Sequence, residues 1–270
     1  MHIQDKVFVV TGAGGGIGGE VVAALLAKGA RVAAVDLRQD ALETMKDKNA
    51  QYTNALSLHA VNITDRDAVN ALPEAVRAIH GVVDGLINCA GIIQPFVKVN
   101  ELDFESIERV MNVNFYGTLH TIKAFLPLLL TRPEAYIVDV SSMGGFLPVP
   151  GQSVYGASKA AVKLLTEALY AELLDTPVHV SVVFPGATNT KITENSHVKT
   201  PDAGGSDGGK DLSATMLPAD KAARIIVAGI EKNTPQIFTG KDSKLMNKLY
   251  RLNPVAATKL IAKQMKSLLK

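Results

Sequence analysis

The N-terminal segment constrains the fold more than any other part of the chain, because a short apolar run leads directly into a glycine-rich turn and an apolar helix. The run KVFVV, residues 6–10, has the length of a buried strand, and TGAGGGIGGEVVAALLAKGA follows it at once. Glycines allow a tight turn and let backbone N–H groups approach a phosphate at the positive end of the next helix. The segment therefore predicts a site for the pyrophosphate of a dinucleotide.

Two registers of the glycine pattern fit this turn. Gly14, Gly16 and Gly19 match the common dinucleotide spacing. In the second register, Gly12, Gly16 and Gly18 begin where the strand ends. We favour the second register for that reason.

The rest of the chain alternates apolar strands with helical segments. The runs RVAAVDL, ALSLHAVNI, GLINCAG, AYIVDVSS and VHVSVVFPG each end in polar or glycine-bearing turns, and QIFTG would add a last strand. This alternation predicts an α/β fold, with a single-domain, Rossmann-type, doubly wound parallel sheet flanked by helices. With 47% hydrophobic residues, the 270-residue chain can form one such domain, which we place at residues 1–240.

The end of the second strand suggests which dinucleotide binds. Asp36 follows the glycines by about twenty residues, where a carboxylate accepts both ribose hydroxyls of an adenosine and repels a 2′-phosphate. This favours NAD over NADP. Arg38 argues the other way, because its guanidinium could serve a 2′-phosphate if the loop folded back over the adenosine.

An acid–base pair lies farther along the chain. Tyr155 and Lys159 stand four apart in YGASK, which places phenol and ammonium on one helix face, and Ser142 lies upstream in IVDVSS. A neighbouring Lys cation favours the phenolate over the phenol, whose pKa is ordinarily about 10. These residues predict general acid–base chemistry on a substrate oxygen that Ser142 orients.

On these residues the chain resembles the classical short-chain dehydrogenase/reductase family over roughly residues 3–240. TGAGGGIG matches the family's TGxxxGxG turn, NCAG resembles its NNAG, NITD its DVTD and PGATNT its PGxxxT. Asn114, in NVNFYG, stands where the family has its active-site asparagine. The resemblance implies an NAD(P)-dependent oxidoreductase that acts on CH–OH groups.

The resemblance also implies the roles of individual residues. The catalytic tetrad would be Asn114, Ser142, Tyr155 and Lys159. The expected cofactor contacts are Gly12, Gly16, Ile17, Gly18, Asp36, Asn62, Ile63, Asn88, Tyr155, Lys159, Pro185, Gly186, Thr188 and Thr190.

In the mechanism that the resemblance implies, Tyr155 removes the hydroxyl proton as the carbon delivers hydride to the nicotinamide, and the reverse direction reduces a ketone. Lys159 lowers the pKa of the phenol and holds the nicotinamide ribose. Asn114 anchors a water that links Lys159 to solvent, or is an amide that satisfies a neighbouring carbonyl inside its helix, and the two roles can coexist.

The sequence departs from the family at three places near the cofactor. Asn62 replaces the aspartate that usually meets the adenine ring, and an amide still offers both a donor and an acceptor. Cys89 replaces the second asparagine of NNAG, and Thr188 stands where an aliphatic residue is common.

The variable segments indicate an apolar substrate. Residues 92–99 and 143–151 flank the tetrad with apolar side chains, which favours a small hydrophobic alcohol or ketone over a sugar or an acid. Residues 191–216, rich in Gly, Asp, Ser and Thr, predict a mobile substrate loop, with a solvated insertion as the alternative. An NADPH-dependent 3-oxoacyl-type reductase and a non-catalytic redox sensor remain as other functions.

Residues 241–270 differ from the rest of the chain, because they hold eight Lys or Arg residues against one Asp. Apolar and basic positions alternate there at helical spacing on both sides of Pro254, which predicts a basic amphipathic helical extension. Three interpretations stay open: peripheral contact with an anionic membrane surface, a cover over a neighbouring subunit's cleft, or helices docked on their own domain.

Composition and the resemblance set the remaining expectations. One cysteine excludes an internal disulfide framework, and the N-terminus lacks the pattern of a secretion signal, so we expect a cytoplasmic protein. We predict no membrane-spanning helix, no metal and no nucleic-acid partner. The resemblance implies a homodimer or homotetramer, in which the helices that carry Asn114 and Tyr155 pair.

Overall fold

The computed structural model describes residues 1–198 and 216–265. The strands are β1 Val7–Thr11, β2 Arg31–Asp36, β3 Leu56–Ala60, β4 Gly85–Asn88, β5 Ala135–Val140, β6 Val178–Pro185, β7 Thr188–Asn189, β8 Leu217–Pro218 and β9 Gln236–Thr239. The helices are α1 Gly16–Leu26, α2 Gln39–Lys48, α3 Arg66–His80, α4 Phe104–Met111, α5 Thr118–Leu129, α6 Ser153–Glu172, α7 Ile192–Asn195, α8 Ala219–Glu231, α9 Lys241–Leu252 and α10 Pro254–Gln264.

Seven of these strands form one parallel sheet in the order β3-β2-β1-β4-β5-β6-β9, and β7 and β8 form a separate short pair. The strand order reverses between β1 and β4, and in open α/β sheets ligands bind at such a point, beyond the carboxyl ends of the strands. The predicted α/β, doubly wound parallel sheet is confirmed.

The sheet strands are apolar because both faces of the sheet are covered. Every residue of β1 and β5 is buried. One core, which includes Phe8 and Leu25, packs α1 and α8 against one face, and a second core, which includes Phe125 and Leu169, packs α3, α5 and α6 against the other. Near-continuous apolar strands are what two covered faces require.

The C-terminal extension forms α9 and α10, which dock on the chain's own domain. Ala257 and Ile261 of α10 are buried against Leu147, and Met246 and Tyr250 of α9 join the same cluster. Asn253 caps α10 by accepting the N–H of Ala256 at 2.9 Å, and Pro254 takes the first helical position. Of the three interpretations of the extension, docking on its own domain describes the contacts of α10. Residues 266–270 of the extension lie outside the described part.

The predicted substrate loop, residues 191–216, is described only at its two ends. Lys191 to Val198 contains the short helix α7, and residue 216 leads into β8. The rest of that segment, residues 199–215, lies outside the described residues.

In the described part of the chain, no helix is long and apolar enough to cross a membrane.

Candidate active site

Two glycines of the favoured register lie at tightly packed positions in the turn after β1. Gly12 has φ +68°, and a Cβ atom there would lie 2.8 Å from the backbone of Ala90. A Cβ atom on Gly18 would overlap the carbonyl oxygen of Gly12. Glycine at these two positions lets α1 pack directly against the turn.

The turn opens into a cavity with a volume of about 560 Å³. The expected cofactor contacts that line it are Gly12, Gly16, Ile17, Gly18, Asp36, Asn62, Ile63, Tyr155, Lys159, Pro185, Gly186, Thr188 and Thr190. At Gly15 a Cβ atom would meet a single neighbour, Asn195 Nδ2 at 3.9 Å, and the first turn of α1 contains no acidic residue. The open, positive end of α1 therefore fits the pyrophosphate of a dinucleotide.

Asp36 and Arg38 lie at the same end of this cavity. Asp36 Oδ2 accepts the N–H of Gly14 at 2.9 Å, and Oδ1 accepts the N–H of Arg38 at 3.1 Å. These bonds fix the carboxylate beside the glycine turn, and each oxygen keeps a lone pair that can accept a ribose hydroxyl. Arg38 also lines the cavity, so both residues that are proposed to select between NAD and NADP face the same cavity.

Two expected cofactor contacts are engaged inside the protein. Asn62 Oδ1 accepts the N–H of Thr64 at 3.1 Å and its hydroxyl at 2.9 Å, so only the Nδ2 donor remains for an adenine. Asn88 is 3% exposed and does not line the cavity. Its Nδ2 donates to Asp139 at 2.8 Å, and its Oδ1 accepts from Thr121 at 2.7 Å. The side chain of Asn88 therefore joins β4 to β5 and α5, and differs from its expected place at the cofactor.

Ser142 and Tyr155 flank one point at the inner end of the cavity. A Cβ atom on Gly144 would lie 3.5 Å from both Ser142 Oγ and Tyr155 Cε1. Burial raises the pKa of the Tyr155 phenol, and the hydrogen bond with Ser142 lowers it by a smaller amount. The net direction is opposite to the expected lowering by Lys159, because burial outweighs the neighbouring groups.

Lys159 and Asn114 both lie beside Gly91, which lines the cavity. A Cβ atom on Gly91 would be 3.1 Å from Lys159 Nζ and 3.3 Å from Asn114 Oδ1. Lys159 Nζ donates to the carbonyl of Val140 at 2.9 Å. Burial lowers the pKa of Lys159 to about 8, while the nearby Cys89 and Asp139 raise it.

Asn114 lies in a π-helical turn, Asn112–Gly117, between α4 and α5. Its Oδ1 accepts the N–H of Ile92 at 2.9 Å, and its Nδ2 donates to the Ile92 carbonyl at 2.9 Å and to Ser158 Oγ at 2.9 Å. The side chain is fully buried and satisfies a neighbouring backbone, which is one of its two expected roles. π-turns of this kind are frequent at functional sites.

The segment after β6 is held by the start of α9. Asp242 Oδ2 accepts the N–H of Ala187 at 2.9 Å, and Ser243 Oγ donates to the carbonyl of Phe184 at 2.8 Å. These bonds fix the end of β6 and with it the position of Gly186, which lines the cavity.

Sequence reasoning missed Gln94, a fully buried residue that holds the start of α6. Its Oε1 accepts the N–H groups of Val154 at 2.7 Å and Tyr155 at 2.9 Å, and its Nε2 donates to the Gly151 carbonyl at 3.1 Å. A lone glutamine in an irregular segment carries no pattern that could have revealed this role. The cavity is also lined by apolar side chains, among them Phe96, Met143, Val149, Ile192 and Met265.

The comparison with known families decides the identity. The model of the short chain dehydrogenase family matches residues 6–200. This chain belongs to the short-chain dehydrogenase/reductase family. It is therefore an oxidoreductase of the NAD(P)-dependent kind that acts on CH–OH groups.

Relatives and solved structures agree with this assignment. The chain is 34% identical to the oxidoreductase SadH of Mycobacterium tuberculosis, over 96% of this chain and 95% of that protein. It superposes on a short-chain dehydrogenase/reductase from Burkholderia phymatum, solved with NAD, with a TM-score of 0.82 and 25% identity over 93% of this chain and 96% of the other. A relative from Burkholderia cenocepacia, solved with NADP, gives a TM-score of 0.79 and 25% identity over 97% and 99% of the two chains. Members of the family bind NAD or NADP. The first of these two neighbours was solved with NAD and the second with NADP.

Proposed function

We propose that this protein is a cytoplasmic, NAD-dependent oxidoreductase that interconverts a hydrophobic secondary alcohol and its ketone, with Tyr155 as the general acid and base. The observation that carries the proposal is one cavity that runs from the glycine turn and Asp36 to an apolar end where Tyr155 and Ser142 meet. One volume thus combines a dinucleotide cradle, an acid–base pair and apolar walls.

The residues divide the work by position. When bound, the nicotinamide dinucleotide supplies the hydride acceptor for oxidation or the hydride donor for reduction. Ser142 Oγ orients the substrate oxygen, and the Tyr155 hydroxyl gives a proton to that oxygen during reduction or takes it during oxidation. Lys159 favours the charged form of the phenol, and Asn114 keeps Ile92 and Ser158 in place beside it.

Asp36 supports the preference for NAD, because its fixed carboxylate would repel a 2′-phosphate. The test is a fluorescence titration with NADH and with NADPH, followed on the same samples by a panel of aliphatic and steroidal ketones. Tighter binding of NADH with turnover of an apolar ketone is expected. An Asp36→Asn variant should lose this preference, while Asp40→Asn, exposed in the first turn of α2, is the matched control.

Two other outcomes of that experiment would contradict the proposal. A preference for NADPH would mean that Arg38 overrides Asp36, and would favour the 3-oxoacyl-type reductase. Tight cofactor binding without turnover of any ketone would favour a non-catalytic redox sensor.

We also propose that α9 and its junction with α10 touch an anionic membrane surface. Leu245, Leu249 and Leu252 lie on one face of α9, and they are 57%, 37% and 84% exposed. Val255 continues this apolar surface and is 63% exposed. The lysines of α9 surround it, and basic residues next to exposed apolar ones suit a peripheral contact with anionic lipid.

The membrane proposal is tested on the full chain, because deleting the extension would also remove Ile261 from its contact with Leu147. Vesicles that contain phosphatidylserine should pellet the wild type and release Leu252→Glu. Ile79→Glu, at an aliphatic residue of α3 that is 62% exposed, is the control and should pellet as the wild type does. Equal pelleting of Leu252→Glu would refute the contact.

A homodimer or homotetramer is the proposed assembly. Phe104 of α4 is 80% exposed, Tyr116 of the π-turn 46% and Leu164 of α6 66%. These apolar side chains lie on the helical segments that the family resemblance assigns to subunit pairing.

A further inference from the structure

Gln152 presents a buried hydrogen-bond acceptor at the substrate end of the cavity. The residue immediately precedes α6, lines the cavity and is only 5% exposed. Its Oε1 atom has no hydrogen-bond partner among residues 1–198 and 216–265. Thr239 Oγ1 is also without a partner there, but Thr239 does not line the cavity. A buried polar atom without a partner destabilises a protein and therefore calls for an explanation.

The orientation of the Gln152 amide is fixed by its neighbour Gln94. Gln152 Nε2 donates to the Gln94 carbonyl at 2.9 Å, and only the amide nitrogen can donate to a carbonyl. The unpartnered atom is therefore the oxygen.

Gln94 also holds the backbone of Tyr155, so one buried residue fixes both the acceptor and the general acid. The Gln94 side chain uses its own amide oxygen and nitrogen on three backbone groups, those of Gly151, Val154 and Tyr155. Gln152 Oε1 consequently has a set position relative to the phenol. A group that is preorganised in this way binds its ligand with little loss of conformational entropy.

We propose that Gln152 Oε1 accepts a hydrogen bond from a substrate hydroxyl other than the one that reacts. An amide oxygen only accepts, so it matches a donor and would disfavour a carboxylate or an ether oxygen. Phe96, Val149 and Met143 line the same end of the cavity, so the rest of the substrate is apolar. The substrate class is an apolar hydroxyketone and the corresponding diol. This inference rests on the proposed oxidoreductase function. It adds to that function a second polar group on the substrate, which Gln152 recognises.

The experiment compares matched ketones on the wild-type enzyme. Octan-2-one and its analogues with one hydroxyl at each successive carbon are reduced with NADH, and kcat/KM is measured for each. At least one hydroxylated analogue should exceed octan-2-one by about tenfold, the value of one hydrogen bond that is otherwise left unmade. Gln152→Met keeps the length of the side chain without the acceptor, and should bring that ratio to about one. Gln51→Met, at an exposed glutamine, is the control and should keep the tenfold ratio.

Three results would overturn the inference and tell its failure apart from that of the proposed function. A wild-type ratio near one for every analogue, with octan-2-one reduced, would mean that Oε1 holds only a water. A ratio that stays tenfold in Gln152→Met would mean that another group recognises the hydroxyl. No reduction of any ketone, despite binding of NADH, would refute the oxidoreductase proposal itself. If Gln152→Met does not fold, Gln152→Leu, which also lacks the acceptor, takes its place in the comparison.

Discussion

At the scale of single residues, burial governs the two groups at the centre of the site. It raises the pKa of Tyr155 and lowers the pKa of Lys159 to about 8. At neutral pH the phenol therefore keeps its proton, and Lys159 is the group that begins to titrate just above neutrality. In the proposed mechanism, Tyr155 in this state would give a proton to a ketone oxygen, and the charge on Lys159 would stabilise the phenolate that remains.

The first prediction concerns Tyr155→Phe, which removes the phenolic hydroxyl and keeps the ring. Positioned acid–base catalysis is worth about a hundred- to ten-thousand-fold, so kcat for ketone reduction should fall by that order. NADH affinity, measured by fluorescence titration, should stay close to that of the wild type. Activity within a few-fold of the wild type would show that another group supplies the proton.

The second prediction concerns Asp139, a fully buried carboxylate whose negative charge acts on the nearby Lys159. Burial raises the pKa of Asp139 to about 6, so it is ionised at neutral pH and above, where it raises the pKa of Lys159. Asp139→Asn should lower the pKa of Lys159 further. If reduction requires the charged form of Lys159, the rate of reduction should be full below that pKa and should decline above it. The declining limb of the pH profile should therefore move to lower pH in Asp139→Asn.

A matched substitution separates this electrostatic effect from a loss of structure. Asp84 is 1% exposed and immediately precedes β4, at the end of that strand opposite to Asn88. Its carboxylate accepts hydrogen bonds from the Val7 N–H and from Arg132. Asp84→Asn should lower the melting temperature and leave the pH limb in place. If both variants show the wild-type profile, Asp139 does not act on Lys159.

The sequence predicted the residues whose chemistry is distinctive and missed those whose role depends on contacts. Tyr155 and Lys159 can be recognised from their spacing, because a helix places residues four apart on one face. Asn88 lies at the predicted end of a strand, but its two hydrogen bonds go to Asp139 and Thr121, on elements far away in the sequence. The role of Gln94 was missed for the same reason, because the local sequence does not indicate hydrogen-bond partners some sixty residues away.

At the scale of elements, α10 links the C-terminal extension to the substrate end of the cavity. Ile261 packs on Leu147, which follows Ser142 in the loop before α6. Met265, one turn beyond Ile261, lines the cavity itself. The C-terminal extension thus contributes to the wall of the chain's own cavity.

The third prediction is that Ile261→Ala loosens this wall. Truncation of a buried Ile costs about 2–5 kcal/mol where the site cannot collapse, and here the loss should fall on the docking of α10. We expect KM for an apolar ketone to rise several-fold with little change in NADH affinity. Leu260→Ala is the control, because Leu260 is 41% exposed on the same helix. Equal KM values for both variants would mean that α10 does not shape the substrate end.

The helical pattern predicted the two C-terminal helices but could not predict where they dock. Amphipathic spacing shows that one face is apolar, and a membrane, a partner subunit or the parent domain can each cover such a face. Ala257, Leu260 and Ile261 are apolar positions of α10 at helical spacing, and the structure buries the first and third while Leu260 stays partly exposed. The choice depends on Leu147, whose position follows from the whole sheet and not from the local sequence.

At the scale of the whole molecule, the parallel sheet follows from a few general constraints. Alternating strands and helices require parallel pairing with right-handed crossovers, and the glycine turn after β1 places the ligand crevice beside that strand. The sequence therefore predicted the sheet and the end at which the ligand binds. The short pair β7 and β8 was not predicted, because two-residue strands carry no periodic signal.

The fourth prediction concerns the assembly of subunits. Leu164 lies on the outer face of α6, the helix whose first two turns carry Tyr155 and Lys159. If α6 pairs with its copy, Leu164→Glu places a charge in a buried interface, and such burial costs several kcal/mol unless the charge is paired. Light scattering after size exclusion should give a dimer or tetramer for the wild type and a smaller species for Leu164→Glu. Leu174→Glu, at a leucine that is 63% exposed just beyond α6, should keep the wild-type mass. An unchanged mass for Leu164→Glu would exclude pairing through this face, and the position of Tyr155 would then depend on contacts within one chain, above all on Gln94.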